Sequence, residues 1–137
     1  MKFPKHPVDI KNEIQLSIIV FNLSGSLRFR QFIRMLGKVP EEKIIEGVFL
    51  VIEDQKSGFD QQRAAGNILS ELKPSTNRDI DEFVNRIIKT WDRSCQEIIY
   101  WFAFNYGVNQ AKSYLEQLKN QQKGKFEKEQ IDTMNWW

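Results

Sequence analysis

The sequence predicts an all-α fold of stacked antiparallel helical hairpins, about three pairs preceded by an N-terminal helix. Three segments each carry a helix-sized apolar pattern, a break and a second such pattern. The breaks contain Pro40, Pro74 and Val108, which are spaced 34 residues apart. A period of this length is typical of helical pairs that bury their apolar faces by stacking on neighbouring pairs.

The register of apolar residues extends the repeat beyond the breaks. Leu36, Leu69 and Phe102 are spaced 33 residues apart. Only apolar positions and turn residues recur, however, and any run of amphipathic helices produces some matches of this kind. An orthogonal helical bundle is therefore the alternative to a stacked repeat, which we favour.

The N-terminal segment, residues 9–23, fits two patterns. Ile10, Ile14 and Ile18 follow a helical spacing, whereas Ile14, Leu16 and Ile18 alternate with polar residues as in a strand. We expect a helix, because a single strand would have no obvious partner in this chain.

The first hairpin has the clearest amphipathic pattern. Gly37 is placed to end its first helix, and Pro40 is tolerated where the next helix starts. Glu41 and Glu42 then complement the positive end of that helix. The apolar stripe of the first helix comprises Leu27, Phe29, Phe32, Ile33 and Leu36.

The second hairpin has a start signal and a stop signal. Ser57 and Asp60 have the spacing of a capping box. The helix that they begin is predicted to end at Lys73, because a residue before proline disfavours the α region. Its partner helix is predicted to begin near Asn77.

The third hairpin is predicted to start at the capping box formed by Ser94 and Glu97 and to turn at Gly107. The last helix gives way to a polar string near residue 122. We therefore predict one helical-repeat domain over residues 1–122. Residues 123–137 are then a tail or a short helix that packs on this domain.

Two glycines and two tryptophans indicate special packing. Gly47 and Gly66 fall inside predicted helices, where each costs about 1 kcal/mol relative to alanine. Close approach of neighbouring helices would compensate for that cost. Trp136 and Trp137 end the chain, and such large rings favour burial, either as a cap on the stack or in a partner. We favour the cap.

Composition places the chain among ordinary cytoplasmic globular domains. It has 137 residues, 41% hydrophobic and 28% charged residues, and a formal net charge of +2. Cys95 is its single cysteine, so no intramolecular disulfide can form. No apolar run approaches the roughly 20 residues that a membrane span needs, and we predict no membrane association.

The residues that usually carry catalysis are scarce. His6 is the only histidine and lies between prolines, and Cys95 is the only other soft or borderline metal ligand. The glycines do not form a phosphate-binding loop. We therefore predict no catalytic residue, no metal, no cofactor and no enzymatic activity.

Three clusters of residues are candidates for partner binding. The first is a basic outer face at helical spacing, the second an acidic segment that would suit a basic partner, and the third a corner that joins an aromatic ring to two charges. Each also has a purely structural explanation, as solvated charge, helix-end charge or core closure. The clusters are Arg30, Arg34 and Lys38; Glu41, Glu42, Glu46, Glu53 and Asp54; and Trp91, Asp92 and Arg93.

The pattern of helical pairs with turn prolines over residues 24–122 resembles a short HEAT-like helical-repeat protein. In size and helical class the chain is also similar to bacterial immunity proteins, which neutralise secreted toxins. These resemblances imply a non-enzymatic protein-binding module, an inhibitor or immunity protein whose partner is another protein, such as a toxin domain. The alternative is a nucleic-acid-binding helical repeat that uses the basic face of the first hairpin.

Overall fold

A computed structural model of the chain describes residues 3–21, 27–122 and 124–137, with side chains described except at 17–21. The fold class is confirmed, because these residues form α-helices and no strand. The helices are α1 (Pro7–Phe21), α2 (Leu27–Leu36), α3 (Glu41–Ile52), α4 (Phe59–Leu72), α5 (Ile80–Ile87), α6 (Glu97–Tyr106), α7 (Val108–Gln121) and α8 (Lys125–Trp136).

Residues 9–21 of the N-terminal segment are helical, as expected, whereas 22 and 23 lie outside the described residues, and α1 packs most extensively on α3. Gly47 allows this contact: a Cβ atom built on it would lie 2.6 Å from Ile10 Cβ and 2.9 Å from the Pro7 carbonyl oxygen. Gly66 similarly faces Glu97 of α6, whose Cβ would be 3.1 Å from the added atom. The predicted close approaches at both glycines are therefore confirmed.

Aromatic rings form the centre of the core where α3, α5 and α6 meet. Phe49 packs on Phe83 with ring centroids 4.7 Å apart, and Trp101 meets Phe83 edge-on at 5.5 Å. The Trp101 indole N–H donates to the Pro74 carbonyl at 2.8 Å, which satisfies its one polar atom in the core. The connection before α5 is thereby held against α6.

Helices that are two apart in the chain pack along two rows, α2 on α4 on α6 and α3 on α5 on α7. Of the three predicted hairpins, α6 packs directly on α7. The pairs α2–α3 and α4–α5 make few backbone contacts, and α3 instead packs on α1 and α4. In the first two pairs, the two helices are thus held in place mainly by contacts with other helices and not by contacts with each other.

Two predicted helix starts are wrong in detail. The residue before α4 is Gly58, whose N–H donates to Gln61 Oε1 at 2.5 Å, so Ser57 does not cap this helix. The residue before α6 is Gln96, and Ser94 instead donates its backbone N–H to Asp92 Oδ1 at 2.9 Å. An Asx-type turn has replaced the capping box, because the aspartate two residues upstream offers a nearer acceptor.

The second helical pair also differs from its predicted limits. Helix α5 begins at Ile80, three residues after the expected start, and ends at Ile87, before Trp91. The connection that follows, residues 88–96, is therefore longer than the sequence pattern indicates.

The C-terminal part of the molecule turns on Gly107. This residue alone separates α6 from α7, and its φ of 84° is a conformation that favours glycine. Residues 125–136 form α8, which packs on α7 and buries Ile131 and Met134. Helices α6, α7 and α8 thereby surround one groove on the surface.

Candidate functional site

The acidic segment between Glu41 and Asp54 is paired within the fold. Arg86 of α5 reaches Glu46 Oε2 at 2.7 Å and Glu53 Oε1 at 2.6 Å. Burial raises the pKa of Glu46, but hydrogen bonds and charge from Arg86 and Arg78 outweigh burial and lower it overall. Folding therefore favours the ionised form of Glu46, and both carboxylates serve the contact of α3 and the residue after it with α5.

The other acids of this segment also have internal partners. Arg78 lies 3.5 Å from Glu42, and Lys11 lies 2.9 Å from Asp54. The Glu41 carboxylate accepts the backbone N–H of Ser75. The predicted acidic docking segment is thus a set of contacts that hold α3 to its neighbours.

The predicted corner at residues 91–93 is likewise engaged. Trp91 is buried and donates its indole N–H to the Cys95 carbonyl at 3.0 Å, so it is not available to stack on a partner. Gln62 of α4 donates to the Thr90 carbonyl at 2.7 Å and accepts the Asp92 N–H at 2.8 Å. The corner closes the core instead.

A second buried glutamine holds the same connection from the other side. Gln130 of α8 donates to the carbonyls of Ile88 at 3.1 Å and Trp91 at 2.9 Å. Its side-chain oxygen accepts a hydrogen bond from Arg93 Nε. Arg93 therefore helps to hold α8 against this connection. The apolar periodicity of the sequence did not indicate that Gln62 and Gln130 would bind the backbone of the connection.

The basic face differs from the other two clusters. Arg30 and Arg34 on α2 and Lys38 just after it are exposed. None of them forms a hydrogen bond or an ion pair with the residues that the structure describes. Neighbouring Arg28, in contrast, contacts Glu13 at 2.8 Å. Of the three predicted clusters, this one remains open to an external ligand.

A feature that the sequence prediction missed is the α6–α8 groove, which has a volume of about 230 Å³. Its walls include Tyr100, Ala103, Val108, Ala111, Met134 and Trp137. Tyr100 is 50% exposed and Phe104, one turn further on α6, is 52% exposed. Trp136, which lies between the lining residues Asn135 and Trp137 in the sequence but outside the lining itself, is 77% exposed.

One sequence signal could have revealed this surface. Residues 98–106 are apolar around almost the whole circumference of α6, with Asn105 as the only exception. Such a helix carries more apolar surface than one neighbouring layer can cover. Trp101 and Phe102 fill the core, which leaves Tyr100 and Phe104 on the outside.

The tryptophans at the end of α8 are only partly a cap. Trp137 lines the groove and donates its indole N–H to the Arg93 carbonyl at 3.2 Å. Trp136 meets it edge-on, with ring centroids 5.0 Å apart. Trp137 is still 38% exposed and Trp136 77%, so neither ring is buried as the predicted cap requires.

Of the lining residues in the described part of the chain, Lys112 alone carries a charge. The ammonium of Lys73 lies 5.9 Å from the centroid of the Phe104 ring. The Glu116 carboxylate accepts a hydrogen bond at 3.0 Å from Nδ2 of the lining residue Asn135, and Asp132 pairs with Lys119 Nζ at 2.6 Å. The groove thus combines apolar walls with a cation at its edge.

The residues that could supply nucleophilic or acid–base chemistry lie apart from this groove. Cys95 is buried in the connection before α6, and burial raises the pKa of its thiol to about 12. His6 is exposed before α1, in a cleft that Phe3 and Asp9 also line. Among the described residues, no three or more His, Cys, Asp or Glu side chains are grouped to hold a metal ion.

Comparison with known proteins assigns no family to this chain. No family model, curated protein or solved structure matches this chain. None of the described helices combines the length and the apolar character needed to cross a membrane.

Proposed function

We propose that this chain is a non-enzymatic protein-binding module that docks another protein at the α6–α8 groove. The exposed aromatic surface beside the groove supports this proposal. Tyr100 and Val108 line the groove and Phe104 lies one turn beyond Tyr100 on α6, and each of the three is at least half exposed. Large exposed apolar patches mark interaction sites, and tyrosine and tryptophan are enriched among the residues that dominate binding energy.

The proposal extends to the biological role. A small HEAT-like helical protein with one such surface suits an inhibitor or immunity protein that neutralises a toxin domain by direct binding in the cytoplasm. Helices α6 and α8 are fastened to the core by Trp101 and Gln130, so the groove is present before a partner arrives. Preorganisation of this kind reduces the entropy cost of binding.

Affinity capture from the native host tests this function. The tagged wild-type chain is expected to retain one stoichiometric protein and to inhibit its activity at equimolar concentration. The double variant Tyr100→Ser/Phe104→Ser should lose that protein, because truncation of interface aromatics commonly costs more than about 2 kcal/mol each. The matched control Arg30→Glu/Arg34→Glu changes a different face and should retain it.

The opposite pattern would contradict the proposal. Retention of the partner by the Tyr100→Ser/Phe104→Ser variant would place docking elsewhere. Capture of no protein by the folded wild-type chain, with circular dichroism as the check of folding, would reject the protein-binding function itself.

Nucleic-acid binding is a second candidate function, because Arg30, Arg34 and Lys38 have no acidic partner among the described residues. Three such contacts predict a log affinity that falls with log salt at a slope of about −2 to −3. Fluorescence anisotropy with single-stranded RNA and duplex DNA at about 50 mM salt tests it. Absence of binding there, or binding unchanged in Arg30→Glu/Arg34→Glu, would remove this candidate.

A further inference from the structure

The α6–α8 groove has the dimensions of a pocket for one aromatic ring system. Its volume is about 230 Å³, and apolar atoms of Ile99, Ala103, Ala111, Leu115 and Met134 contribute to its lining. For comparison, an apolar protein cavity of about 150 Å³ holds a benzene molecule. The groove therefore has room for a ring somewhat larger than benzene, such as an indole or a phenol.

The walls of the groove also suit an aromatic occupant. Tyr100 and Trp137 border it and keep 50% and 38% of their surface exposed. Aromatic side chains pair favourably in edge-to-face or offset geometry, beyond the free energy of burying their surface. An entering ring would find such partners at the rim.

The charge at the groove specifies a second property of the occupant. Among the described residues that line the groove, Lys112 is the only charged one; the Glu116 carboxylate lies just outside the lining and accepts a hydrogen bond from Asn135. Lys112 is exposed and forms no hydrogen bond or ion pair with a described residue. A carboxylate beside the ring would be attracted to this ammonium, whereas a second ammonium would be repelled.

We propose that the groove receives an aromatic side chain of the partner protein. Lys112 then pairs with a carboxylate that the partner places next to this ring. This inference rests on the proposed function and names the chemistry of the partner's anchor. The shape and apolar lining of the groove select the ring, and Lys112 selects the sign of the neighbouring charge.

Two small probes that share one ring and differ in charge test the inference. Indole-3-acetate carries a carboxylate and tryptamine an ammonium, and each is titrated into the full chain at millimolar concentration while NMR signals are followed. Indole-3-acetate should bind about threefold to tenfold more tightly, since exposed ion pairs contribute modestly. The shifted signals should centre on Ala103, Ala111 and Met134.

Variants at two exposed lysines complete the test. Lys112→Glu should reverse the preference, so that tryptamine binds more tightly than indole-3-acetate. Lys128→Glu places the same charge change on α8 outside the groove lining and should keep the wild-type preference. Both positions are exposed, and circular dichroism checks that each variant folds.

Several results would overturn the inference. These are equal binding of the two probes, no saturable binding of either, shifts centred outside the groove, or an unchanged preference in Lys112→Glu. A wild-type dimer in sedimentation at high micromolar concentration, converted to monomer by Tyr100→Ser in the groove lining, would show that a second copy occupies the groove. Failure of the probes is distinguishable from failure of the proposed function, because partner capture is measured separately.

Discussion

At the scale of single residues, the absence of a side chain at Gly47 decides how closely α1 approaches α3. A Cβ atom there would overlap Ile10 Cβ at 2.6 Å and the Pro7 carbonyl at 2.9 Å. One of those neighbours is backbone, so relief requires movement of the whole helix. The glycine that weakens α3 locally is thus needed for its tightest contact.

Gly47→Ala is therefore expected to destabilise the fold by about 1–3 kcal/mol, the usual cost of overpacking a core. Urea unfolding measures the change. Gly37→Ala is the control, because an added Cβ there meets only the Arg34 carbonyl at 3.3 Å and should have a smaller effect. Equal stability of the Gly47 variant and wild type would show that α1 is not closely packed here.

Cys95 is another residue whose surroundings determine its chemistry. Its side chain is buried, and burial raises the pKa of the thiol to about 12, so the thiol remains protonated at neutral pH. We expect negligible reaction with Ellman's reagent in native buffer and complete reaction in urea. Rapid labelling of the native protein would mean that the connection before α6 opens readily.

At the scale of elements, two buried glutamines hold the connection between α5 and α6. Gln62 of α4 and Gln130 of α8 bind its backbone from two sides, at Thr90, Asp92, and the carbonyls of Ile88 and Trp91. The connection is irregular, so its polar groups lack helical partners. The glutamines supply those partners and join three helices at one point.

Gln130→Leu should cost about 1–3 kcal/mol, because it leaves buried carbonyls without donors. Since α8 contacts the connection through this residue, amide hydrogen exchange should accelerate in α8 more than in α3. Gln117→Leu, at an exposed position on α7, is the matched control and should change little. If amide hydrogen exchange accelerated equally in all helices, Gln130 would not act locally to hold α8 against the connection.

At the scale of the whole molecule, charge is distributed by pairing between distant helices. Glu46 of α3 and Glu53 just after it meet Arg86 of α5, and Asp54 meets Lys11 of α1. The backbone N–H of Lys56 and then the Lys11 side chain lower the pKa of Asp54. Because the pKa of Glu46 is also lowered, folding stabilises the ionised form of both acids.

The sign of the resulting pH dependence follows from these lowered pKa values. The stabilisation is complete above the pKa of the unfolded carboxyls and is lost as pH falls through the lower folded values. The free energy of unfolding should therefore decrease as pH is lowered from about 5 to 3. Urea unfolding at several pH values measures it.

Arg86→Met should make this pH dependence shallower, because Glu46 loses the arginine that lowers its pKa. Arg63→Met is the matched control, since Arg63 is exposed on α4 and forms no ion pair among the described residues. A pH dependence as steep in Arg86→Met as in wild type would assign the effect to other acids.

Much of the secondary structure could be predicted because its causes are local. Apolar spacing and turn residues indicated α1 to α7, whereas residues 123–137 were left as a tail or a short helix, and Gly47 and Gly66 indicated where helices come close. The capping residues at Ser57 and Ser94 were wrong, because Gln61 and Asp92 offered competing hydrogen bonds within three residues. Local signals therefore specify that a helix exists better than they specify its first residue.

The candidate site could not be predicted in the same way. The basic face on α2 was recognised, but Tyr100 and Phe104 were not, since the pattern of α6 does not show which of its apolar residues the core leaves exposed. The acidic segment looked available, because its partners Arg78 and Arg86 lie 32 to 40 residues further along the chain than Glu46.

By itself, then, the sequence determined the all-α class, the order of the helices and the glycines at their crossings, because periodicity and backbone preference act within a few residues. Tertiary structure alone decided which charges are neutralised, that the corner at Trp91 closes the core, and that α6, α7 and α8 leave an apolar groove with Lys112 at its edge. The physical reason is that pairing, burial and exposure depend on groups that meet only after the chain has folded.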